Sequence, residues 1–264
     1  NKVPLMPGVG FMEWMAEFHT TLEAPSAAVR FADISFHDAF KLHRDQARDA
    51  HIAATPTHVA GEWDMRIHSP FTSKIGNRQE LRDYSAARVS TGSFPAPEWT
   101  NDQGGVDAAT RVPYSQILSH LDTIPQNVVF GPLFHDSRRT GATEPDVIVE
   151  WNQHGLIAPY RLPAAQLDNP LYPLDKFRLN PCLLDSIHQA GVIHSILNTG
   201  HVHLPFGADE FVVVGKQDRP GTYQVRVVLV DKQPDKLFYD IVLRDEQNRL
   251  CAWVKRSAYH RINA

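Results

Sequence analysis

Cysteine, long apolar runs and excess positive charge are all scarce in this sequence, and each shortage removes a class of protein. Cys182 and Cys251 are the only cysteines among 264 residues. Two cysteines cannot staple a disulfide-rich secreted scaffold or build a four-thiolate zinc site. The longest apolar runs, such as Phe211–Val214 and Val225–Val230, are strand length. They fall well short of the ~20 residues that span a bilayer, and no signal-peptide pattern opens the sequence. Lys plus Arg total 26 against 30 Asp plus Glu, a net charge of −4. That balance argues against a non-specific nucleic-acid or membrane-surface partner. Also missing are a P-loop, a Gly-x-Gly-x-x-Gly between strand and helix, a Gly-x-Ser-x-Gly elbow and a His-Glu-x-x-His helix. The expectation is a cytoplasmic protein. Asn rather than Met stands at position 1, as expected of an excised domain.

With 42% apolar and 21% charged residues, the chain is too apolar for disorder and long enough for a large core. Two segments read as buried helices. In Pro7–Phe18, Phe11, Trp14 and Phe18 share a face, Val9, Met12, Met15 and Ala16 fill most of the rest, and Glu13 and Glu17 form the only polar stripe. In Asn180–Leu197, Asn180 suits the N-cap, Pro181 the first helical position and Gly200 the stop. Helices apolar nearly all round are surrounded by other structure.

Much of the remainder alternates as strands do: Ala27–Phe36, His51–Ala60, Trp63–Ser69, Val147–Trp151, Phe211–Gly215, Tyr223–Asp231, Leu237–Arg244 and Leu250–Tyr259. Asp245–Asn248 reads as a hairpin turn. Gly76–Tyr84 is polar and reads as a loop or short helix. Phe94–Thr110, with Pro95, Pro97, Gly104 and Gly105, is the linker candidate. A buried helix followed by strands thus occurs twice, a repeat in organisation rather than in residue identity. The pattern supports an α+β fold in which each sheet wraps one central helix.

Asp185 is the sharpest residue. It sits between Leu184 and Ile187 in a helix with little polar surface, with His188 at i+3 and Gln189 at i+4. A carboxylate there costs several kcal/mol unless it is hydrogen-bonded or protonated. Two readings stay open on the residues alone, a buried functional acid and a satisfied structural aspartate. Fourteen histidines invite a metal, but His201-Val202-His203 has no third ligand at a telling distance, so no metal is expected. Gly8-Val9-Gly10 is too short for a dinucleotide fingerprint and reads instead as a close approach with backbone N–H groups at a helix start.

Four blocks in this order resemble the dehydratase domains of polyketide and polyunsaturated fatty acid synthases. Leu5–Glu13 resembles the end of that family's His-x-x-x-Gly-x-x-x-x-Pro motif and its first central helix. Phe130-Gly131-Pro132-Leu133-Phe134 resembles the Tyr-Gly-Pro-x-Phe block. Leu184–Gln189 resembles the Asp-x-x-x-Gln/His motif, and Leu204-Pro205-Phe206 the Leu-Pro block. The resemblance runs from about Pro4 to Tyr259 and implies a double hot-dog, two long central helices each wrapped by an antiparallel sheet. The implied division is an N-terminal hot dog over 1–95, incomplete at its start, a linker over 96–125 and a C-terminal hot dog over 126–264. The departures are Phe130 in place of the family's Tyr, Asn180 where a His often precedes the Pro, and Lys2 where the motif's Gly would fall. The motif's histidine would lie three residues ahead of Asn1, and the intact Asp185/Gln189 block favours truncation over a degenerate domain.

The resemblance implies loss of water from a 3-hydroxyacyl thioester on an acyl carrier protein, giving a 2-enoyl thioester. The upstream histidine would be the base at the α-carbon and Asp185 the acid at the β-hydroxyl, oriented by Gln189. Desolvation would help keep that acid protonated. Backbone N–H groups near Gly8 would stabilise charge on the thioester carbonyl. Phe130, Gly131, Pro132, Leu204 and Pro205 would line the substrate tunnel, though turn chemistry explains the Gly and Pro residues equally well. The substrate would arrive on the carrier's phosphopantetheine arm, so no bound cofactor is expected. Other megasynthase domains would be partners, and dimerisation is common in the family. The alternatives are a non-catalytic megasynthase domain, and a double-bond isomerase or cyclase on the same fold.

Overall fold

The computed structural model describes residues 6–38, 40, 49–72, 79–100, 106, 109–117, 148–162, 176–216 and 219–262. Helix α1 spans Gly8–Leu22 and helix α2 spans Pro181–Thr199. The strands are β1 (Ala28–Phe36), β2 (His51–Pro56), β3 (Glu62–Thr72), β4 (Gln79–Gly92), β5 (Thr110–Pro113), β6 (Ile148–Asn152), β7 (Gly155–Leu162), β8 (His203–Val214), β9 (Gly221–Gln233), β10 (Lys236–Asp245) and β11 (Leu250–Arg261).

All eleven form one sheet in the order β2-β3-β4-β1-β8-β11-β10-β9-β7-β6-β5. Every neighbouring pair is antiparallel. The expectation of a separate sheet round each helix is therefore corrected. Strand β1 pairs with β8 from Ala28↔Val214 to Ser35↔Gly207 and joins the two sets. The join is close, since a Cβ on Gly207 would lie 2.6 Å from the Ile34 carbonyl oxygen.

Both helices lie against this sheet and touch each other. Helix α2 begins as its sequence demands. The Asn180 side chain accepts a hydrogen bond from the Leu183 N–H at 3.0 Å, and Gly200 ends the helix in the left-handed region with φ 72°. Fourteen of its residues are buried, so it is enclosed on nearly all sides rather than amphipathic. Helix α1 starts at Pro7 without a side-chain cap.

The unbroken apolar run in β8 has a simple cause. Phe211 and Val213 face the main core. Val212 faces the other side, where it packs with Trp253, Phe94 and Trp99. The segment after β4, including the 3-10 turn Glu98–Thr100, lies over that outer face. Arg226 and Arg244 fix it by donating to the carbonyls of Trp99 and Thr100, each at 3.0 Å. A strand covered on both faces reads as a continuous hydrophobic stretch.

The polar stretch expected as a loop or short helix is instead strand from Gln79 onward. Its backbone pairs with β3, Glu80 opposite Phe71 and Leu81 opposite Pro70, and ladder bonds override weak local propensity. The hairpin at Asp245 forms as read. The Asp245 carboxylate accepts from the N–H groups of Gln247 and Arg249 at 3.0 and 2.8 Å.

Candidate active site

Asp185 and Gln189 lie one turn apart on α2, and the structure joins them. The Gln189 Nε2 donates to Asp185 Oδ2 at 2.6 Å. Gln189 is buried, whereas Asp185 is half-buried between neighbours that are fully enclosed. The carboxylate is therefore more open than a run of leucines suggests. Gln189 Oε1 is enclosed and makes no hydrogen bond among the described residues. The carboxamide is thus turned so that its donor, not its acceptor, meets the acid.

Three groups surround this pair. His188 is buried against Phe36, Phe211 and Tyr259, with ring centroids 6.1, 5.9 and 6.4 Å away. Desolvation pushes its pKa down to about 4, so the ring is neutral at pH 7. The Tyr259 hydroxyl donates to the His188 carbonyl at 3.2 Å. Burial drives the Tyr259 pKa up, and the Asp185 charge adds to it. The same two causes push the Cys182 thiol up to about 12, leaving it protonated and inert.

Gly8, read as a close-approach position, meets the Phe36 ring. A Cβ there would lie 2.8 Å from two of its carbons, and Phe36 in turn contacts His188. The start of α1 and the middle of α2 are thus separated by one aromatic ring. Leu204 and Pro205 open β8, opposite His260 and Tyr259 in the ladder. Leu204 is exposed and Pro205 half-buried. The sheet thus carries Pro205 to the backbone of Tyr259. Phe130, Gly131 and Pro132 lie outside the described residues.

Two residues, Glu13 and Tyr259, escaped the sequence reading. Glu13, read as part of a polar stripe, is 2% exposed. Its carboxylate accepts the N–H groups of Arg178 and Leu179, each at 2.7 Å. The signal was present, since the burial argument applied to Asp185 applies equally to an acid on α1. His188, placed at i+3 from Asp185 by its spacing, is enclosed among aromatic rings. Tyr259 carries no local signal, because a tyrosine near the end of a strand is ordinary. A groove of about 530 Å³ opens elsewhere, lined by Lys216, Arg219, Tyr223, Asp245, Arg249 and Cys251 among others; neither Asp185 nor Gln189 reaches it. Among the described residues no group of His, Cys, Asp or Glu could hold a metal ion.

No family profile matches the chain, and no curated protein matches it in sequence. Solved structures do. The fold is that of polyketide synthase dehydratase domains, a large antiparallel sheet with few helices. The dehydratase domain from the CurJ module of the curacin polyketide synthase superposes with a TM-score of 0.74 at 16% identity, covering 98% of this chain and 83% of that one. The dehydratase domain of RzxB from Pseudomonas fluorescens gives 0.73 at 17% identity, covering 97% and 86%. A trans-acyltransferase polyketide synthase enoyl-isomerase gives 0.65 at 13% identity, covering 98% and 91%. Among the described residues no helix is long and apolar enough to cross a membrane.

Proposed function

We infer that this chain is a dehydratase domain that removes water from a 3-hydroxyacyl thioester carried on an acyl carrier protein, leaving a 2-enoyl thioester. The observation that carries this reading is the 2.6 Å bond from Gln189 to Asp185 on a buried helix, in a fold shared with polyketide synthase dehydratases. An Asp-to-Asn mutant of the CurK dehydratase and a His-to-Phe mutant of the CurJ dehydratase are inactive, which supports an acid and a histidine as the reacting groups in this reading.

In this reading Asp185 protonates the departing β-hydroxyl, and Gln189 holds the carboxyl in one orientation. Negative charge grows on the thioester oxygen as the α-proton leaves, and the start of α1 at Gly8 supplies backbone N–H groups to meet it. The base at the α-carbon is assigned to a histidine nine positions ahead of Pro7. His188 is a poor candidate, since Phe36, Phe211 and Tyr259 enclose its ring. Phe130, Gly131, Pro132, Leu204 and Pro205 are assigned to the acyl tunnel. The substrate arrives on phosphopantetheine, so the domain needs no cofactor of its own. It acts as a cytoplasmic part of a larger synthase.

The likeness to an enoyl-isomerase favours a second reading, a shift of the double bond in the same site. One experiment separates the two. The protein, taken together with the residues ahead of Asn1, is incubated with a 3-hydroxyacyl carrier-protein thioester, and the acyl group is followed by mass spectrometry, beside Asp185→Asn. Loss of one water that disappears in Asp185→Asn establishes the dehydratase. No loss of water, with migration of the double bond in a 2-enoyl substrate, establishes the isomerase and refutes the dehydratase reading.

A further inference from the structure

Glu13 belongs to α1, but its hydrogen bonds belong to the approach to α2. Oε1 accepts the Arg178 N–H and Oε2 the Leu179 N–H, each at 2.7 Å. These two residues immediately precede Asn180, the N-cap of α2. The Arg178 guanidinium donates to the carbonyl of Ser26, just beyond α1. One carboxylate and one guanidinium thus tie the entry of α2 to α1 and to the chain that leaves it.

The two helices also carry matching pairs. Glu13 and Glu17 are spaced i,i+4 on α1, as Asp185 and Gln189 are on α2. The neighbouring Glu17 adds to burial in raising the Glu13 pKa, whereas Gln189 donates a hydrogen bond to Asp185. The two acids differ also in their surroundings. Asp185 is half-open, whereas both Glu13 oxygens are occupied by the backbone that leads into α2.

We propose that Glu13 is a positioning residue for Asp185: its carboxylate fixes where α2 starts against α1, and so where Asp185 and Gln189 sit relative to the Gly8 end of α1. Two adjacent backbone N–H groups gripped by one carboxylate leave the helix entry little freedom to slide or rotate. A single helix turn and a half separates that grip from Asp185, and a rigid helix transmits the position without loss. The catalytic consequence rests on the dehydratase reading of Asp185, but the geometric consequence does not.

The test is Glu13→Gln. A carboxamide keeps the shape but offers one acceptor and one donor group, so only one of the two N–H groups retains its partner. Three quantities are read: hydrogen exchange at the Arg178 and Leu179 amides, the NMR signal of the Gln189 side-chain NH2, and kcat with KM for dehydration. The expected result is faster exchange at the amide that loses its acceptor, a displaced Gln189 signal, and a kcat lower by roughly tenfold to a hundredfold with KM unchanged. Faster exchange with an unmoved Gln189 signal and unchanged kcat would overturn the proposal, because the clamp would then be local. If the wild type itself removes no water, the dehydratase reading fails, and the Gln189 signal alone decides the positioning. Should Glu13→Gln not fold, Glu13→Asp keeps the charge, is one methylene too short to reach both amides, and is read the same way.

Discussion

The Tyr259 hydroxyl reaches the His188 carbonyl, 3.2 Å away, because residue 191 is glycine. A Cβ at Gly191 would lie 2.4 Å from both the Tyr259 Cζ and its hydroxyl oxygen. The ring thus lies flush on the backbone of α2, one turn from Asp185. Gly191→Ala forces the buried ring to move, and overpacking outweighs the gain in helix propensity. Stability should fall by about 1–3 kcal/mol in urea titration. An unchanged midpoint would show that the ring shifts freely.

His188 and His194 set the acid limit. Burial lowers each to about 4 from an ordinary 6.5. Below pH 6.5 the unfolded chain binds protons that the folded chain refuses. Their contribution is therefore complete above pH 6.5 and lost as pH falls to about 4, on the order of 3 kcal/mol each. His194 is fully partnered, by Tyr239 at 3.1 Å and the Asn152 carbonyl at 3.0 Å. The Nε2 of His188 has no partner among the described residues. His188→Leu should therefore cost little at pH 8 and flatten the acid side of the stability profile. Urea midpoints from pH 4 to 8 check this; an unchanged slope would refute it.

Glu13 works in the opposite direction. Desolvation raises it from 4.5 to about 7, against the lowering pull of the Leu179 and Arg178 amides. Its contribution is fully present below pH 4.5 and is lost as pH rises through 7, on the order of 3 kcal/mol. Between pH 4.5 and 6.5 it therefore offsets about one of the two histidines. Glu13→Gln should steepen the acid loss in the same titration. At pH 8 the lost hydrogen bond and the relieved charge burial should nearly cancel.

Gln189→Leu removes the donor that holds Asp185 and leaves the helix intact. The expected result is a kcat lower by roughly tenfold to a hundredfold, with little change in KM. A larger change in KM than in kcat would mean that Gln189 contacts the substrate rather than the acid.

Asn180→Ala tests the start of α2 separately. Loss of the cap to the Leu183 N–H should cost about 1 kcal/mol, read as a lower thermal midpoint. Leu184 N–H to Asn180 carbonyl, at 2.9 Å, survives the change, so the helix should keep its register and activity should fall only modestly.

Local chemistry made α2 legible. Asn180, Pro181 and Gly200 mark its ends, and its apolar surface announces enclosure. Helical spacing placed both His188 and Gln189 within reach of Asp185, and the structure gives the bond to Gln189. The hairpin at Asp245 was legible for the same reason, since Asp and Asn side chains bond their own neighbours. Strand β4 was not, because Gln79–Asp83 are polar and become strand only through pairing with β3.

By itself the sequence determined two enclosed helices, most of the strands and an acid with a histidine and an amide one turn away. These depend on interactions within a few residues, which composition and spacing encode. Tertiary structure alone decided that one sheet, joined through β1 and β8, runs across both halves. It also decided that Tyr259 lies over Gly191 and that Glu13 faces the entry of α2 rather than solvent. Glu13 and Leu179 are 166 residues apart; such a contact is selected by packing, and no local pattern of side chains records it.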